Sequence, residues 1–199
     1  MEYLFVLHCI YIIFIMIQRI LNILGSISLL AVIYLINKGI GVGYLLKYMD
    51  IHLNYNLPHW VSYVFYIVVV LVYTGLLILL FKHLRPGELR NKNIEHLDAD
   101  NSGFLAMILA YVFVGLSINN AWTLMAIILF LLIFNLCGSS YIYNPLFYIF
   151  GYRYYYITSS KTKILLMTKT RYPLGAIVDF KQCGCLNDYT YIDISKNKN

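Results

Sequence analysis

Charge is scarce in this chain. Only 12% of its 199 residues are charged, about half the roughly 25% of an average soluble domain. None of the 15 Lys and Arg residues falls between Ile20 and Asn37, between Trp60 and Phe81, or between Gly103 and Tyr152. With 61% hydrophobic residues, such gaps exclude a chain solvated by water alone. Spans after the first hold no Asp, Glu, Lys, Arg or His, which argues against ion-coupled transport and intramembrane hydrolysis, both of which need buried ionisable groups. Four cysteines, two of them in or beside apolar runs, build no extracellular disulfide framework. The five histidines have no spacing of three or four that would put two on one helical face, so no catalytic or metal role is assigned to them. The C-terminal region offers no nucleophile, base and orienting group at recognisable spacing. Asp179, Asp188 and Asp193 read there as turn and solvent-face residues. The chain is expected not to be an enzyme and to hold no cofactor or metal.

What is present is organised for a bilayer. The first apolar stretch runs from Tyr3 to Ile36, interrupted by Gln18, Arg19 and Asn22. It is too long for one upright crossing of about 20 residues, yet two polar residues cannot turn a helical hairpin. One crossing is expected near residues 20–37 with Arg19 at its cytoplasmic flank, and residues 1–15 become a tilted extension or an interfacial helix. Met16 is an alternative natural start. The second span, 60–81, is introduced by Pro58 and marked by Trp60. Two shorter spans, 103–118 and 121–136, form a hairpin with its apex at Asn119 and Asn120. The distribution of basic residues then sets the orientation. With the N-terminus inside, Arg19, four Lys or Arg between Phe81 and Gly103, and eight beyond Tyr152 are cytoplasmic, against Lys38 and Lys47 outside. The net charge of +6 follows from this bias, and no direct nucleic-acid binding is expected. Many of the 20 tyrosines end apolar runs, where an amphipathic ring suits the headgroup layer.

Beyond Asn144 the texture changes to alternation of period two. Strands are expected at Tyr152–Thr158, Lys163–Thr168, Ala176–Gln182 and Tyr189–Ile194, with a turn at Cys183-Gly184-Cys185. The predicted fold is an α-helical membrane protein: four transmembrane helices within residues 1–143, then a cytoplasmic four-stranded β-domain over 144–199. About 50 residues are marginal for independent stability, so this sheet should lean on the membrane, a second copy or a partner. Three local motifs have structural readings. Asp98–Gly103 matches half of a calcium loop but lacks its closing carboxylate, and reads as a helix N-cap. Gly39–Tyr44 resembles a phosphate loop or a filter fragment, but lacks the flanking residues of either and reads as a helix C-cap and bend. Cys183 and Cys185 supply two thiols where structural zinc needs four ligands.

The junction Asn144-Pro145-Leu146-Phe147-Tyr148-Ile149-Phe150-Gly151-Tyr152-Arg153-Tyr154-Tyr155, with Lys163–Thr168 and Leu186–Ile192, resembles the membrane component of Kiwa-type bacterial anti-phage systems, the KwaA family. The plan of about 200 residues, four spans and a small cytoplasmic tail is similar too. The resemblance implies a homo-oligomeric sensor at the bacterial inner membrane that works with a cytoplasmic DNA-binding companion, KwaB. It carries no catalytic motif over. The residues before Met16 are a departure that this pattern does not place. The expected function is therefore a sensor or scaffold that recruits a cytoplasmic partner through Arg153, Lys161, Lys163, Lys169 and Arg171, with membrane lipid as the competing contact of those charges. A small oligomeric channel lined by Ser26, Ser28, Thr74, Ser117 and Thr123 is the alternative.

Overall fold

A computed structural model describes residues 2–48, 58–81, 86–87, 94–138, 143–159, 162–172, 183–187 and 189–193. Helix α1 runs unbroken over Glu2–Asn37, so Gln18 and Arg19 neither end nor bend it. It closes in a left-handed cap: Gly39 has φ 62°, and Ile40 N–H donates to Leu35 O at 3.1 Å. That is the role glycine fills at a helix C-terminus, where its missing Cβ removes the steric cost of positive φ. A short helix α2 (Val42–Tyr48) follows, then α3 (His59–Phe81). Helices α4 (Asn101–Ser117) and α5 (Ala121–Cys137) follow, joined by residues 118–120, and each packs on α1 more than on the other. Asp100 caps α4 by accepting from Gly103 N–H at 2.9 Å, and Asn120 caps α5 by accepting from Thr123 N–H at 2.7 Å. Each cap satisfies a donor that a first helical turn leaves unpaired.

Two segments, Met16–Asn37 and His59–Phe81, are long and apolar enough to cross a membrane. α4 and α5 are apolar but have 17 residues each, short of the roughly 20 that a bilayer core takes. By length and composition, then, two of the four expected spans qualify. α1 is central, packing against α3, α4 and α5. Gly115 lets α4 close on it, since a Cβ there would stand 2.7 Å from Ile33 Cγ2.

The sheet departs from the expected meander. Among the described residues it has six strands, in the order β1-β5-β6-β4-β3-β2: β1 (Pro86–Gly87), β2 (Ile94–Ala99), β3 (Arg153–Ser159), β4 (Thr162–Thr168), β5 (Cys183–Asn187) and β6 (Thr190–Asp193). β3, β4 and β6 lie where alternation placed them. The expected strand at 176–182 lies outside the described residues. Two corrections stand out. Cys183-Gly184-Cys185 is strand rather than turn, paired with Asp193, Ile192 and Tyr191 of β6. The α3–α4 connection, which lies outside the expected β-domain of 144–199, supplies β1 and β2. β4 and β6 run parallel as neighbours, which a meander would not allow.

The sheet has two packed faces. On the bundle side, Tyr154, Leu165, Met167, Leu186 and Ile192 bury themselves with Tyr152 against Ile78 and Phe81 of α3 and Phe147 of a 3₁₀ turn, η1 (Pro145–Tyr148). On the far side, Leu97, Tyr155, Ile157, Leu166 and Cys183 form a second cluster. Alternation along β3 and β4 produces this division, since successive side chains point to opposite faces.

Candidate functional site

The helices and the sheet meet at a polar joint. Gln18, Asn22 and Ser26 recur every four residues along α1 and so share one face. All three are buried. Asn22 Oδ1 accepts from Asn144 Nδ2 at 3.2 Å. Asn144 turns its own Oδ1 onto Leu146 N–H at 3.1 Å, capping η1. Its backbone N–H donates to the Tyr154 hydroxyl at 3.0 Å, and that hydroxyl donates to Asn144 O at 2.7 Å. A hydrogen-bonded route therefore runs from α1 through Asn144 to Tyr154, near the start of β3. Glycine at 25 makes room for it, because a Cβ there would lie 3.1 Å from Asn144 Nδ2 and 2.9 Å from Leu77 Cδ1. Burial pushes the Tyr154 phenol well above its ordinary pKa, so it serves the joint as a neutral donor and acceptor.

The other helices are also tied to α1. Ser26 Oγ and the Tyr111 hydroxyl of α4 stand 2.9 Å apart, and Tyr73 of α3 donates to Leu21 O at 2.8 Å. Arg19 donates to Asn135 O at 3.0 Å and Gly138 O at 2.6 Å, placing a cation on the negative end of α5. Four buried atoms here have no partner among the described residues: Gln18 Nε2, Gln18 Oε1, Arg19 Nε and Asn22 Nδ2. A second link joins sheet and bundle where β2 runs into α4. Asp100 N–H donates to Tyr154 O at 3.0 Å, and the Asp100 carboxylate accepts from the Tyr143 hydroxyl, which also bonds Tyr156. Burial, and then the bond to Asp100, raise the Tyr143 pKa.

The expected docking charges do not form one patch. Lys163 and Lys169 are exposed and lie on the bundle-facing side, Nζ 4.1 Å from the Tyr156 ring centre and 4.9 Å from that of Tyr152. Six residues of strand separate them, about 20 Å at 3.3 Å per residue. Arg153 is half-buried, and its pairing with Thr168, two positions before the Tyr155–Leu166 pair, puts it on the far face. Arg171 is exposed just before Tyr172, which packs on that far cluster. Lys161 lies outside the described residues. The hydroxyls weighed as a pore lining have local partners: Ser28 donates to Gly25 O, Thr74 to Val70 O and Ser117 to Val114 O. Thr123 marks the cap of α5. No group of three or more His, Cys, Asp or Glu gathers among the described residues.

Residues 18–192 match the family model described as anti-phage protein KwaA. The chain belongs to the KwaA family. No curated protein and no solved structure matches it. Membership in the KwaA family places the chain in anti-phage defence, and the match takes in both the joint and the sheet, opening at Gln18 and closing at Ile192. The joint itself went unread in the sequence. Gln18 and Asn22 stood out as interruptions of an apolar run, but the four-residue spacing to Ser26, which marks one helical face, was the usable signal. Asn144 before Pro145 was a second, since an Asn side chain often caps the turn that a proline opens.

Proposed function

We propose that this KwaA-family chain is a membrane-embedded sensor and scaffold subunit of an anti-phage defence complex. It crosses the bacterial inner membrane four times with both termini cytoplasmic, assembles as a homo-oligomer, and recruits a cytoplasmic companion protein. The observation that carries this reading is the hydrogen-bonded route from Asn22 through Asn144 to Tyr154. A sensor needs the element that feels the envelope to be mechanically joined to the element that speaks to the cytoplasm, and α1 is bonded to α3, α4, α5 and, through Asn144, to the sheet. The thirteen-to-two division of basic residues supports the orientation. α4 and α5 would cross with polar ends at the interface or with local thinning of the bilayer.

The companion docks on the far face of the sheet, where Arg153 and Arg171 stand away from the bundle. Co-purification from membranes tests this. Arg153→Glu with Arg171→Glu should release the companion in a salt-sensitive way and abolish protection in a phage plating assay, with the protein still inserted. Full retention of the companion by that variant would overturn the docking site. Reproducible single-channel conductance by the purified protein without any partner would overturn the scaffold reading in favour of a pore.

A further inference from the structure

The turn that follows η1 does not stop at the end of the helices. Phe150 Cε1 lies 3.6 Å from where a Cβ on Gly75 would stand. Gly75 is six residues before Phe81, the last of α3, so the Phe150 ring reaches about 9 Å back along that helix at 1.5 Å per residue. Tyr148, one turn away, stacks on Phe104 of α4 with ring centres 4.1 Å apart. Asn144 to Phe147 are buried among the helices, yet Ile149, between them and Phe150, is 67% exposed. The exposed side chains in this half of α3 include Val72, Leu76 and Leu79, apolar as Ile149 is. Lys169, exposed, carries its ammonium over the ring of Tyr152, three residues after Ile149.

We propose that residues 149–151 form a re-entrant turn seated in the acyl region of the cytoplasmic leaflet, with Lys169 held at the level of the phospholipid phosphates. The inference rests on the membrane-spanning reading of α3. A 23-residue helix is about 34 Å long, and a bilayer core is about 30 Å. Even if the whole excess lay at the cytoplasmic end, a Phe150 ring about 9 Å deep would stand inside the hydrocarbon and hold the turn that carries it at the edge of the acyl region. In water, Ile149 would be an unexplained apolar projection on a backbone turn; in lipid it is an anchor. Because irregular backbone cannot face hydrocarbon unpaired, its internal bonds matter: Ile149 N–H donates to Leu146 O, Phe150 N–H to Phe147 O and Gly151 N–H to Tyr148 O, at 3.0 to 3.1 Å. Gly151, at φ 83°, turns the chain back toward β3 where a side chain would be strained.

The test uses the full chain in phospholipid nanodiscs. A nitroxide attached through p-acetylphenylalanine, which leaves the native cysteines alone, is placed in turn at positions 149, 69 and 171. Position 69 lies on the exposed mid-face of α3 and position 171 on the far side of the sheet. Oxygen should relax the label at 149 several-fold more effectively than a water-soluble nickel chelate, as at 69, with the reverse at 171. Lys169→Glu should shift the label at 149 toward the nickel chelate. A nickel-accessible 149 beside an oxygen-accessible 69 overturns the re-entrant turn and leaves the spanning reading intact. A nickel-accessible 69 overturns both.

Discussion

Gln18 and Asn144 are both buried amides at the joint, and their hydrogen bonds set them apart. Asn144 uses its side chain twice, on Leu146 N–H and Asn22 Oδ1. Gln18 finds no partner for either end of its own among the described residues. A buried polar group left without a partner costs about 1–3 kcal/mol, whereas an apolar replacement of similar shape carries no such penalty. Gln18→Met should therefore raise stability by roughly that amount, and Asn144→Ala should lower it by about 2 kcal/mol or more because two buried partners are orphaned. Thermal unfolding in one mild detergent compares the two. Destabilisation by Gln18→Met would mean that the amide is bonded after all. If Gln18→Met stabilises the protein but abolishes protection against phage, the unpaired amide is retained for movement of α1 rather than for the fold.

At the level of elements, legibility followed the strength of periodicity. Tyr154, Tyr156, Leu165 and Met167 alternate with Tyr155, Ile157 and Leu166, so β3 and β4 were plain in the sequence. β2 was not, because it is an edge strand with Leu97 buried and Asp98 exposed, and its charges read as loop. β5 was hidden by Gly184, a residue that weakens strand patterns but here pairs with Ile192. The joint was half legible: the polar residues of α1 were visible, but their partner Asn144, more than a hundred residues away, was not. Strand placement of Cys183 has a chemical consequence. Burial, and then Asp193, push its thiol pKa up to about 12, so at pH 8 only about one thiol in ten thousand is the reactive thiolate. Maleimide should modify exposed Cys137 promptly and leave Cys183 untouched until the protein unfolds. Equal labelling rates in the native protein would return Cys183 to an open turn.

For the whole molecule, tyrosines tie the stability of helices and sheet together to pH. Tyr143, Tyr152, Tyr154 and Tyr172, along the joint and sheet, all have pKa values raised chiefly by burial. Raised folded pKa values mean that the unfolded chain releases these protons first. Their contribution is complete below about pH 10, the unfolded tyrosine value, and is lost as pH climbs through the folded values. Alkaline titration should therefore unfold sheet and joint together, and tyrosinate absorbance should appear with loss of structure rather than before it. The same interdependence bears on the residues from 144 onward as a separable unit. β1 and β2 are contributed by the α3–α4 connection, and the bundle-facing core is completed by Ile78 and Phe81 of α3. A fragment of residues 144–199 would lack both and would expose Phe147, Tyr154, Leu165 and Met167, each buried in the intact chain. Fully burying one such side chain contributes about 1.5–3 kcal/mol, and the net stability of a whole domain is only about 5–15 kcal/mol. The fragment should give an unfolded or aggregated spectrum in solution, whereas adding the 82–100 segment alone should not rescue it, since Ile78 and Phe81 would still be absent. A dispersed amide spectrum from residues 144–199 alone would show that the sheet folds without the helices, and the joint would then be a contact between two independent bodies.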